Sequence, residues 1–241
     1  MNQFTRRVLF FLFFVSGFCS LVYQVVWTRM AFASFGIITP VLSVVLSVFM
    51  LGLAVGAWAG GRFIASLVKK TGLSAVAFYA GAELLIGLGA FAVPKLFAAG
   101  EYFLRAAGQT NSIGYLSWSA LVLAFSILPW CLFMGATFPL MMAYVRERDC
   151  KNAESFSFLY LANVLGAMSG TLMAAVVLVE LLGFRHTLWV AAAGNFTIAV
   201  IGGWLAWKQR SFVVIALTEA ERSAGPGNLF FPGNARSRLI K

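Results

Sequence analysis

The chain has 241 residues, 61% of them hydrophobic and 11% charged, with a net charge of +10. Soluble domains carry about 25% charged residues, so this composition, with a mean hydropathy of +0.89, excludes a water-soluble globule, a disordered chain and a disulfide scaffold. The Lys and Arg residues sit between apolar runs, as in membrane loops that meet anionic headgroups, so the expected partner is the lipid bilayer and not nucleic acid.

A spanning helix needs about 20 mostly apolar residues. Six segments qualify: 8–27, 37–58, 73–93, 115–137, 156–178 and 187–207. They predict an all-α integral membrane protein, one bundle of six transmembrane helices over residues 1–210, followed by a C-terminal tail, 211–241. Arg6 and Arg7 precede the first span. Its apolar stretch is long and no small-residue cleavage site follows, so it reads as a retained helix and not a signal peptide. At its far end Tyr23, Gln24 and Arg29 read as interfacial anchors, with a ligand role as the alternative. Trp27, Trp58, Trp118, Trp189 and Trp207 fall at predicted membrane interfaces.

The second span carries Gly52, Gly56 and Gly60, a small-residue stripe that lets another backbone approach. Packing within the bundle is the expected use and a homodimer surface the alternative. The third places Glu83 near its centre with Tyr79 one turn earlier, in hydrogen-bonding reach. In the fourth, Gly135 and Pro139 predict an interruption and a bend at the membrane boundary. The fifth holds Asn163, Gly166 and Gly170, and ends near Glu180, expected to pair with Arg185 or His186 of the turn 182–187. The sixth carries Asn195. Beyond it, a short apolar patch at 212–217 gives way to a Gly/Pro-rich stretch, either disordered or docked on a partner. No inverted repeat between the first three spans and the last three is legible in the sequence.

Orientation follows from the loops. If the N-terminus is cytoplasmic, the inner segments hold fourteen Lys and Arg residues and the outer ones only Arg29, Lys95, Arg105 and Arg185. This positive-inside bias places both termini in the cytoplasm.

Glu83 is the sharpest candidate for function, because a charge near the midplane costs several kcal/mol, roughly, and must be paired, protonated or hydrated. Tyr79, Asn163, Asn195 and Gln24 are the candidate substrate-binding residues beside it. The competing reading is an interhelical hydrogen-bond clamp. Cys19 and Cys131 lie in apolar runs and read as packing residues; no CxxC or His pairing points to a metal, and no cofactor is expected. No GxSxG, HExxH or Walker-type loop is present, so catalysis by this chain is not expected.

Six stretches in order, SGFCSLVYQVVWTRM (16–30), VFMLGLAVGAWAGGR (48–62), YAGAELLIGLGA (79–90), FMGATFPLM (133–141), LYLANVLGAMSG (159–170) and LGFRHTLWVAAAGN (182–195), resemble the membrane domain of the fused spermidine synthase-like proteins, which is loosely grouped with major facilitator transporters. The resemblance covers residues 8–207. It implies a polytopic domain of the bacterial inner membrane, usually followed by an aminopropyltransferase-like domain with no counterpart in this sequence. It maps the family's intramembrane carboxylate onto Glu83 and its fifth-helix Asn onto Asn163. Where much of the family has an acid after the first-helix Tyr, this chain has Gln24, which weakens a polycation site built on two carboxylates. The expected function is an accessory or scaffold subunit that docks a protein partner, in a membrane complex or with a separate aminopropyltransferase-like enzyme. The alternative is a homodimeric carrier for a polyamine or other small organic cation at Glu83.

Overall fold

The structure, a computed structural model, describes residues 3–106, 112–148 and 154–224, and all regular structure among them is helical. In chain order the elements are α1 (Gln3–Phe35), α2 (Thr39–Thr71), α3 (Ala75–Ala106), α4 (Ser112–Arg148) and α5 (Glu154–Met173); a π-helical turn (Ala174–Leu178) then leads into α6 (Val179–Ala224). Five runs are long and apolar enough to cross a membrane. Each of the first four matches one predicted span, α2 and α3 starting two residues later than expected, and each extends past its C-terminal end because nothing in the next residues stops the helix. α2, for example, runs to Gly72, whose left-handed backbone (φ 66°) and N–H bond to Val68 O close it.

The fifth run, Ser157–Lys208, is 52 residues long and contains both the fifth and the sixth predicted spans. Straight, it would measure about 78 Å, more than twice the hydrocarbon thickness of about 30 Å. It is not straight: Gly183 has φ 70° and ψ 175°, outside helical space. Before this break, Gly166 and Gly170 lie on the backbone of Phe14 and Phe18, so the segment runs parallel to α1. After it, Gly194 meets Cys19 and Gly202 meets Ala80, next to the Tyr79 ring that stacks on Phe13. The chain has turned back and descends antiparallel to α1. α6 continues through residues 211–224, the first part of the predicted tail; 225–241 lie outside the described residues, as does Cys150.

Two seams of close backbone contact hold the bundle. In one, Gly56 of α2 sits on Leu132 O, Gly60 on Ala136, and Gly135 of α4 on Leu53 O. In the other, Gly166 of α5 sits on Phe14 O, Gly170 on Phe18, and Gly17 of α1 on Asn163 O. Both pairs are parallel, and their contacts correspond one for one when α1 is exchanged with α4 and α2 with α5. α3 runs with α1, through Phe13–Tyr79 and Phe35–Phe97, and against α4, through Gly89–Trp130 and Gly100–Val122. The α1–α5 and α2–α4 seams are therefore inverted copies of one packing scheme, and α6 against α1 answers α3 against α4, although α3 also packs on α1 where α6 makes no comparable contact with α4. No repeat is legible in the sequence. The symmetry lives in which backbones touch, and only its glycines leave a trace in sequence. The α2 stripe is used inside the chain, against α4, and so is not a free dimer surface.

Two further expectations are corrected. α4 passes through Pro129 and Pro139 as one helix. Within a bundle, neighbouring groups re-satisfy the carbonyls that proline frees, here those of Phe125 and Gly135, and Gly135 is packed directly on the Leu53 backbone of α2. Tyr23 and Trp27 are not at an interface: both are fully buried, because α1 extends to Phe35 and carries them inside the bundle. Trp58, Trp118, Trp189 and Trp207 are exposed on the outside of the bundle.

Candidate intramembrane carboxylate site

Glu83 is wholly buried where α3 meets α1 and α6. The small residues around it, Ala80, Ala82 and Gly87, let those helices close in; Gly87 receives the Phe196 ring and Ala80 receives Gly202. The Ser16 hydroxyl donates to Glu83 Oε1 at 2.6 Å, and Asn195 Nδ2 donates to Oε2 at 2.5 Å. The Tyr23 hydroxyl in turn donates to Asn195 Oδ1 at 3.0 Å. That bond orients the amide, leaving its NH2 for Glu83. Trp27 stacks on Tyr23 with ring centroids 5.1 Å apart. The result is a chain of side chains from three helices, Ser16–Glu83–Asn195–Tyr23, braced by an indole.

The Tyr79 hydroxyl is buried beside Glu83 and Ser16, close to both but outside strict hydrogen-bond geometry, and Ser16 and Asn195 make the well-formed bonds to the carboxylate oxygens. An i, i+4 spacing brings side chains near one another, but the ring of Tyr79 is held by its stack on Phe13 at 6.0 Å. Among the described residues no ion pair reaches Glu83; Arg29 pairs with Glu180 and Arg105 with Glu101. A buried carboxylate without a cation is expensive when ionised. The site can relieve that cost by holding a proton or by accepting a cationic donor.

The other predicted site residues are placed elsewhere. Asn163 packs its side-chain oxygen against Gly17, on the α5 side of α1, so it belongs to the seam and not to the Glu83 cluster. Gln24 is half-buried next to Tyr23 in sequence but on another face of α1. Glu180 pairs with Arg29 at 3.4 Å, not with Arg185 or His186. Arg185 lies over the Trp189 ring, and His186 Nδ1 meets Leu182 O at 3.1 Å. The reason is the parallel packing of α5 on α1, Gly166 on Phe14 and Gly170 on Phe18, which carries Glu180 to the end of α1 before the chain reverses at Gly183. An open groove between the first halves of α2 and α4, lined by Ser43, Ser47 and Ser117, shares no residue with the Glu83 cluster.

Sequence reasoning missed Ser16 and misplaced Tyr23 and Trp27. The signal was present: residues 16, 23 and 27 fall on one face of α1 at helical spacing, a polar row inside an apolar span. Among the described residues no three His, Cys, Asp or Glu side chains gather into a metal-ligand set. Comparison of the chain with protein-family models, curated proteins and solved structures gives no match.

Proposed function

We propose that this chain is a carrier-type membrane domain that crosses the bilayer six times and binds a small organic cation, of the polyamine class, at Glu83. One observation carries the reading: the carboxylate is buried at the junction of two inverted halves with hydrogen bonds but no cation beside it among the described residues. Inverted repeats with a polar site at their contact are the architecture of alternating access. The reversal at Gly183 supports six crossings, since it divides an otherwise over-long helix into two antiparallel spans. The Lys and Arg distribution supports cytoplasmic termini. The resemblance to spermidine synthase-like membrane domains supports both the inner-membrane location and the polyamine class.

The test is uptake of labelled spermidine into liposomes that hold the purified protein. Glu83→Gln keeps the hydrogen-bonding shape and removes the charge; the proposal expects it to abolish uptake while the protein stays folded. Equal uptake by Glu83→Gln and the parent overturns the site. If instead the parent takes up nothing, and a stoichiometric partner leaves when residues 211–241 are deleted, the chain is an accessory subunit.

A further inference from the structure

Resting on Glu83 as a cation site, we infer that the site is entered from the C-terminal end of α1, along Tyr23 and Trp27, and that the Arg29–Glu180 bridge latches this way shut. Polar atoms lead away from Glu83 in that direction. Asn195 and Tyr23 form a hydrogen-bonded link, and beyond them the Trp27 indole N–H is wholly buried and has no hydrogen-bond partner. A buried donor without a partner is uncommon and calls for a role; a cation or water passing along α1 toward Asn195 would meet it. In the opposite direction, toward the α1 N-terminus, Phe13 and the Tyr79 ring stack above fully buried Leu9, Leu12 and Val76, with the Tyr79 hydroxyl the polar atom on that side; around Trp27 the buried Val26, Ala31 and Phe35 must part for the way to open.

The latch sits about 20 Å from Ser16, thirteen residues further along α1. Arg29 donates from Nη2 to Ala175 O at 3.1 Å and from Nη1 to Glu180 at 3.4 Å. Ala175 lies in the π-helical turn, and Glu180 just beyond it. One guanidinium thus ties α1 to the α5–α6 turn at its weakest place, between a π turn and the non-helical Gly183. π turns and glycine breaks are where helices bend. Releasing Arg29 frees the turn to swing off the α1 end and uncover Trp27. Arg29 and Glu180 are part-exposed, so the latch is weak enough to open.

Cys19 reports the opening. Its sulfur is buried against Gly194, one residue from Asn195. With Cys131 and Cys150 replaced by Ala, a membrane-impermeant cationic thiosulfonate added on the α1 C-terminal side should modify Cys19 slowly in the parent. Glu180→Gln should speed this about fivefold, the upper range for a part-exposed ion pair. The swapped pair Arg29→Glu with Glu180→Arg should return the rate toward the parent value, which misfolding would not. Unchanged labelling in Glu180→Gln, or labelling only from the opposite face, overturns the latch. Uptake in Glu83→Gln is read separately: loss of uptake with unchanged Cys19 labelling keeps the site and sinks the gate, and unchanged uptake with faster labelling keeps the gate and sinks the site.

Discussion

In the α2–α4 seam Gly56 rests on Leu132 O and Gly135 on Leu53 O; in the α1–α5 seam Gly166 rests on Phe14 O and Gly17 on Asn163 O. The backbone contacts are copies. The side chains one residue away are not. Gly17 is preceded by Ser16 and Gly135 by Met134, and two turns further on Tyr23 corresponds to Met141. Ser16 and Tyr23 serve the Glu83–Asn195 pair, whereas Met134 and Met141 fill apolar core. The repeat supplies the frame and the polarity is confined to one copy of it. A symmetric apolar bundle would be a sound membrane protein with no site.

The largest expected effect tests whether the seams are equivalent. A Cβ at Gly56 would lie 2.0 Å from Leu132 O, and one at Gly166 1.9 Å from Phe14 O. Gly56→Leu and Gly166→Leu should each cost about 3 kcal/mol or more, since backbone cannot yield as a rotamer can. Unfolding in detergent should show similar losses; a mild effect at one of them breaks the correspondence.

Next is the asymmetry. Glu83→Leu leaves Asn195 and Ser16 without their acceptor and should cost about 2 kcal/mol. Met134→Leu, at the position matching Ser16, is a swap of similar volume and should cost under about 1.5 kcal/mol. If the two cost the same in chemical denaturation, the Glu83 network is not cohesive.

Gly183→Ala probes the reversal that separates the descending segment from the ascending one. Its φ of 70° with ψ of 175° is a region that only glycine occupies easily, with open space around it. The strain should be about 1.5 kcal/mol, visible as a lower melting temperature, and a neutral result argues against this turn geometry. Smallest is Tyr23→Phe, which deletes one donor to Asn195 and should cost about 1 kcal/mol. Because that bond orients the amide, its Phe variant should also weaken spermidine binding, measured by equilibrium dialysis, while Met141→Leu should not.

The sequence by itself determined that this is an α-helical membrane protein. Twenty-residue apolar runs with no polar face have only the bilayer as a stable solvent, and each segment predicted from them is helical to within two residues at its start. It also singled out Glu83 and Asn195, because a carboxylate or amide in an apolar run is visible without any fold. Glycine spacing showed that α2 and α5 would be approached closely. What approached them was decided in three dimensions. Ser16 and Tyr23 look ordinary in sequence and become site residues only because α1 lies against both α3 and α6. Asn163 looks like a site residue and is a seam residue, because its helix packs on the other side of α1. Arg29 found Glu180 across about 150 residues of sequence only because the segment that holds Glu180 packs parallel to α1 and ends beside it. Local chemistry can be read along the chain, but helix neighbours depend on which backbones pack most closely, and that is a property of the whole bundle.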